Sequence, residues 1–217
     1  MKRVAICASV TNPNIEAIKA VEPHIELFEI RIDLIGNQWQ DILQHFEKPW
    51  IACNRIVEDG GSWLGSEARR KEELLKAVQL GAKIVDIELA TPNLGKVVPL
   101  IKKGAKCLLS YHNFQETPSI ENLQNIVEQQ LVAGADICKV VTYAKNIEDN
   151  LTIIKLIPKF SGVNIIAFAM GPLGLPSRIL NPLVGGYFTY AAIQKGIPSA
   201  PGQLTVDELN ELYQMVK

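Results

Sequence analysis

The sequence has no long apolar run, no paired-cysteine motif and no surplus of one charge. Nothing in it approaches the roughly 20 apolar residues needed to cross a bilayer. The N-terminal MKRVAICASVTNPN starts basic, but its apolar stretch gives way to Ser9, Thr11 and Asn12. That is too short for a secretion signal, and no cleavage-like site follows. Lys and Arg number 22 against 23 Asp and Glu, a net charge of −1. Nucleic-acid sites carry a basic surplus on one face, so neither nucleic acid nor membrane is an expected partner. Cys7, Cys53, Cys107 and Cys138 each sit in an apolar run, with no zinc spacing. They read as buried, reduced thiols, which suits a soluble protein of the cytoplasm. No linker, low-complexity tract or composition shift divides the chain, so residues 1–217 are expected to form one domain.

What is present is alternation. Short β-branched or apolar runs occur at Val4–Val10, Leu27–Ile35, Trp50–Arg55, Ile84–Leu89, Lys106–His112, Ile137–Tyr143, Val163–Met170 and Val184–Tyr190. Between them lie helical patterns at Asn14–Val21, Ser66–Leu80, Asn93–Lys103, Ser119–Ala133 and Asn146–Ile157, with Thr205–Met215 last. Ser66 and Ser119 are candidate caps, Gly81, Gly104 and Gly134 are stops, and Thr205 with Glu208 forms a capping-box pattern. Strict strand–helix alternation predicts parallel strands joined by crossover helices. Eight such units in 217 residues predict an α/β fold, a (β/α)8 TIM barrel. An open doubly wound sheet is the competitor, but the first strand runs into CASVTNPN, which lacks the Gly-rich phosphate turn.

Charge falls where a barrel should be dry. In LFEIRIDLI, Glu29, Arg31 and Asp33 share one face of a strand and the apolar residues share the other. Helices cover the outside, so the triplet points inward, where ionised groups must pair or serve a ligand. IVDIEL repeats the theme with Asp86 and Glu88. Lys139 stands in the otherwise apolar ADICKVVTYA. A barrel has no sheet edge to carry an outward lysine, so Lys139 is a candidate nucleophile, an amine able to attack a carbonyl. His112, ending the preceding strand, is a candidate proton carrier, because imidazole titrates near neutrality. His24 and His45 read as surface residues. Arg178, after the seventh strand, offers a fork for a carboxylate. GIPSAPGQL, ending in Gln203, reads as a lid.

These pieces together resemble the type I 3-dehydroquinate dehydratases of the shikimate pathway. The resemblance spans nearly the whole chain. It rests on Glu29-Ile-Arg31-Ile-Asp33, Arg55 with Gly60-Gly61, Asp86-Ile-Glu88, Ser110-Tyr-His112-Asn-Phe114, Lys139, Met170-Gly171 with Gly174 and Ser177-Arg178, and Ser199-Ala-Pro-Gly-Gln203. It implies that Lys139 forms a Schiff base with the C3 ketone of 3-dehydroquinate. His112 would take a C2 proton and return it to the departing C1 hydroxyl. Arg178 would clamp the carboxylate. Glu29 and Arg55 would bind ring hydroxyls, with Arg31 counted among the substrate-binding residues. Ser199 and Gln203 would close over the substrate, and Phe188 would line the ring pocket. The resemblance further implies a homodimer and no metal or organic cofactor. The family pattern has Glu where Asp59 stands, beside the glycine pair, so either Asp59 or Glu58 partners His112. Asn113 stands in place of an Asp, and Asn54 in place of a small hydroxyl residue. The N-terminal capping extension of longer members is not expected here.

Two other readings compete. A class I aldolase-like barrel also uses a Schiff-base lysine, but it should carry a phosphate site and no carboxylate clamp. A non-catalytic barrel used as a binding module should have lost Lys139 or His112, and both are present.

Overall fold

Alternating inward and outward side chains build the strands, and capped amphipathic helices cover them. The computed structural model describes residues 4–197, 199–200 and 202–216. Its strands are β1 (Ile6–Val10), β2 (Leu27–Arg31), β3 (Trp50–Cys53), β4 (Ile84–Glu88), β5 (Lys106–His112), β6 (Ile137–Tyr143), β7 (Ile165–Met170) and β8 (Thr189–Ala192). All pair in parallel: β1 through β7 pair successively in sequence order, and β8 returns to pair with β1. Tyr187 N–H donates to Ile165 C=O at 2.8 Å, linking the last two strand regions. The result is a nearly closed (β/α)8 barrel, as the alternation predicts.

The helices are α1 (Ile15–Val21), α2 (Ile32–Ile35), α3 (Glu67–Gln79), α4 (Leu94–Ile101), α5 (Ile120–Val132), α6 (Glu148–Ile154), α7 (Leu156–Lys159), α8 (Leu175–Leu183) and α9 (Val206–Met215). Asn14, Ser66 and Ser119 cap α1, α3 and α5 with side-chain oxygens, and Thr205 and Glu208 form the expected capping box on α9. No helix of the described residues is long and apolar enough to cross a membrane.

Outward residues such as Phe28, Ile30, Val85, Ile87 and Leu109 pack in the layer shared with the helices. Inward residues such as Leu27, Ile51, Leu108, Ile166 and Phe188 form a second, internal core. The polar inward residues lie nearer the C-terminal strand ends, so the barrel interior is apolar at one end and charged at the other.

Three boundaries differ from the pattern. The second strand stops at Arg31 rather than Ile35, because the chain turns into the helical Ile32–Ile35. Asp33 still meets Arg31 through paired bonds of 3.0 and 2.7 Å, but across this turn rather than along a pleat. The eighth strand is Thr189–Ala192, not Val184–Tyr190. Residues 184–186 instead close α8: Val184 and Gly186 donate to the carbonyls of Leu180 and Asn181, and Gly185 adopts φ 105°. The Asn146–Ile157 pattern divides into α6 and α7, and Pro158 lies inside α7 rather than ending a helix.

Candidate active site

The register sets the depth of each group. Ser110 pairs with Lys139 and His112 with Val141, so Lys139 sits one inward step below His112. Lys139 is 6% exposed, and its chain reaches the barrel axis. Its Nζ donates to Asp86 Oδ2 at 2.9 Å and lies 3.7 Å from Glu29 Oε1. The ring of Tyr190 lies beneath it, with Nζ 4.3 Å from the centroid, a cation–π contact.

Asp86 is the hub. Arg55 Nη2 donates to Oδ2 at 2.7 Å, and Ser110 Oγ donates to Oδ1 at 2.6 Å. Burial opposes its charge, but Arg55, Lys139 and the Ser110 hydrogen bond override it and hold the carboxyl well below the usual range. Glu29, Cys53 and Asp86 bring ligand atoms within 4.8 Å of one another. The same carboxylates are already engaged by Lys139 and Arg55, so the donor set fits a cation side chain better than a metal ion.

Arg55 Nη1 faces His112 Nδ1 at 3.1 Å. Burial, then the charges of Arg55 and Lys139, push the His112 pKa well below its ordinary value, so the ring is neutral at pH 7. Phe114 stacks on His112, with centroids 6.0 Å apart. Gly60 lets Phe114 sit there: its φ is +75°, and a Cβ would come within 2.8 Å of the Phe114 ring.

Arg178 comes from α8 and is 3% exposed, with its guanidinium 4.4 Å from the Phe168 ring centroid. Burial lowers its pKa to about 10. The start of α8 is pinned to β7, where Ser177 Oγ accepts from Ala169 N–H at 2.9 Å. Across the mouth, Ser199 N–H and Oγ donate to Gln203 Oε1 at 2.8 and 3.0 Å. Gln203 Nε2 reaches Ser9 Oγ at 3.4 Å, and Ser9 Oγ donates to Glu29 Oε2 at 3.1 Å. Arg31 Nη1 donates to Ser199 C=O at 3.5 Å. Pro198 and Pro201 of the expected lid lie outside the described residues.

A cavity of about 250 Å³ joins Glu29, Arg31, Arg55, Asp59, His112, Lys139, Arg178, Ser199 and Gln203, the set expected from sequence with one exception. Phe188 does not line it. Phe188 lines a larger cavity, about 730 Å³, among the N-terminal strand ends with Leu27, Trp50 and Ile84. The resemblance implied Phe188, but Tyr190, one inward step on, takes the position. The smaller cavity gathers the buried Glu29, Arg55, Lys139 and Arg178, which makes it the candidate site. Asp59 lines it, and burial followed by the charge of Glu88 raises its carboxyl pKa. No hydrogen bond joins Asp59 to His112 among the described residues; Nδ1 faces Arg55 instead. Sequence reasoning missed Ser9 and Arg70. Ser9 is a lone polar residue in an apolar strand. Arg70 reaches inward from α3 to Glu88 at 2.6 Å, and only a helical charge pattern announced it. His45, read as a surface residue, is half-buried.

A parallel barrel with a buried lysine, a neutral histidine and an arginine at the C-terminal strand ends defines a barrel enzyme of the lyase class. The chain belongs to the type I 3-dehydroquinase family, whose model matches residues 4–217. It is 42% identical over 217 residues to a 3-dehydroquinate dehydratase of Dehalococcoides mccartyi, covering 100% of this chain and 97% of the relative. It is 37% identical over 219 residues to the corresponding enzyme of Methanocaldococcus jannaschii, covering 97% and 98%. The fold matches the type I 3-dehydroquinate dehydratase of Clostridium difficile with covalently modified comenic acid, at TM-score 0.89, 23% identity and coverage of 100% and 93%. It also matches 3-dehydroquinate dehydratase from Geobacillus kaustophilus at TM-score 0.87, 25% identity and coverage of 99% and 91%.

Proposed function

We propose that this chain dehydrates 3-dehydroquinate to 3-dehydroshikimate through an imine on Lys139, a step of the shikimate pathway toward chorismate and the aromatic amino acids. The observation that carries the reading is the buried Lys139 amine facing a cavity shared with neutral His112 and Arg178. Lys139 nitrogen bonds to the C3 carbon, and the ketone oxygen leaves as water. The resulting cation is an electron sink for the neighbouring C–H bond. His112 takes the C2 proton, the C1 hydroxyl departs with that proton as water, and hydrolysis frees the lysine. Arg178 holds the carboxylate, and Arg55 and Glu29 hold ring hydroxyls. Arg31, Ser199 and Gln203 close the mouth. Asp59 is the candidate that receives the His112 Nδ1 proton once Arg55 turns toward substrate.

Incubation with 3-dehydroquinate followed by borohydride reduction tests this. The expected result is a mass increase mapped to Lys139. An adduct formed only with sugar phosphates would favour an aldolase, and no adduct in folded protein would overturn the imine.

The active protein is a homodimer in this reading. Ile147 at the N-cap of α6, Leu151 on α6, and Leu180 and Val184 at α8 are exposed where two helices pack together. Such an apolar stripe suits a second copy, and Leu151→Asp should convert the dimer to monomer in light scattering. All four cysteines are free and buried, with the Cys107 and Cys138 thiols pushed up to about 12 by burial, which suits a reducing cytoplasm.

A further inference from the structure

Two buried oxygens at the floor of the cavity have no hydrogen-bond partner among the described residues: Tyr190 Oη and Glu29 Oε1. Tyr190 is 5% exposed and Glu29 is 3% exposed. Both line the same cavity, and both flank the reacting nitrogen. Nζ of Lys139 lies 3.7 Å from Glu29 Oε1 and 4.3 Å from the Tyr190 ring centroid. Burial, then the charge of Glu29, holds the Tyr190 phenol pKa well above its ordinary value, so the hydroxyl keeps its proton to donate.

An unpaired buried hydroxyl is costly, and a phenylalanine would fill the same space without that cost. The hydroxyl therefore points to a ligand. One oxygen is a donor and the other only an acceptor, which together match one water molecule. Imine chemistry supplies that water. In net terms a ketone and the Lys139 ammonium give a protonated imine and one water: the C–N bond forms, the C–O bond breaks, and the oxygen leaves with two protons from nitrogen. The reverse step needs a water at the same place.

We propose that Tyr190 Oη and Glu29 Oε1 form the seat for the water expelled when the Lys139 imine forms and consumed when it is hydrolysed. Tyr190 donates to the water oxygen, and the water donates to Glu29. The proposal rests on the imine reading of Lys139. Its ligand is water alone, although the seat shares Glu29 with the contacts to the ring hydroxyls.

The test is exchange of the ketone oxygen of 3-dehydroshikimate with 18O-water, read by mass spectrometry in wild type and Tyr190→Phe. A seat acts equally on the forward and reverse steps, so it alters the rate and leaves the equilibrium unchanged. Tyr190→Phe should slow exchange about 10-fold, the scale of one lost hydrogen bond. The fraction of Lys139 trapped by borohydride at equilibrium should stay at the wild-type level. Wild-type exchange rates in Tyr190→Phe overturn the proposal, as does a trapped fraction that falls in step with the rate. A wild-type protein that traps no adduct refutes the imine reading itself.

Discussion

Arg55 Nη1 lies 3.1 Å from His112 Nδ1. A guanidinium can only donate, so Nδ1 must accept, and the neutral imidazole carries its proton on Nε2. In that tautomer Nε2 is a donor and cannot take a proton from carbon. In the proposed mechanism the base becomes competent when Arg55 moves to a substrate hydroxyl and the ring proton shifts to Nδ1.

Nitrogen-15 NMR of His112 reads this directly. The unliganded protein should show a pyridine-like Nδ1 and a protonated Nε2 at pH 7. Adding 3-dehydroshikimate should reverse the two. A protonated Nδ1 in the unliganded protein would show that Arg55 does not set the tautomer.

His112→Ala should separate binding from turnover. General acid–base groups contribute about 100- to 10,000-fold, so kcat should fall within that range. Lys139 remains, so a covalent adduct should still form and should persist. Unchanged turnover would remove His112 from the mechanism. Lys139→Ala should abolish trapping altogether.

Asp86 holds two cations on one oxygen, with Arg55 at 2.7 Å and Lys139 at 2.9 Å. Asp86→Ala leaves both without their main counter-charge in a buried site. Removing one partner of a buried pair costs about 3–5 kcal/mol, and denaturant unfolding should show a loss of that order. A loss below about 1 kcal/mol, the scale of an exposed pair, would mean that water already screens the site.

Acid should act in two stages. His112 has a folded pKa well below its ordinary value of about 6.5, so the unfolded chain binds the proton first. Stability should therefore fall as pH drops below about 6.5. Asp86 is also held low, so a second loss should begin below about pH 4, as the unfolded carboxylate protonates. His112→Gln, which cannot titrate, should flatten the first stage in urea titrations at successive pH values. An unchanged first stage in that variant would assign it to another group.

Much of this site could be read in advance because its charges stand on strands. Glu29, Asp86, His112 and Lys139 interrupt apolar runs, and strand alternation alone turns them inward. Arg178 was legible as a charged residue after a late strand, although the helix carrying it was not. LPSRILNPL contains two prolines, and it folds as a helix because Ser177 and Asn181 bond to β7 and to the segment entering β8. Such tertiary bonds leave no periodic trace. The same helix moved the start of the eighth strand to Thr189. The Arg55 contact to His112 was also hidden, since pairing across three strands depends on register rather than composition.

The rings of Phe188 and Tyr190, edge to face with centroids 5.3 Å apart, divide the barrel into two compartments. Lys139 stands on the upper face of that partition, and the larger cavity opens below it. For protein engineering, the two ends thus differ in what they tolerate. Enlarging or refilling the lower compartment leaves every ionisable group of the reaction in place, provided the ring pair is kept. A graft, label or fused segment belongs at that lower end.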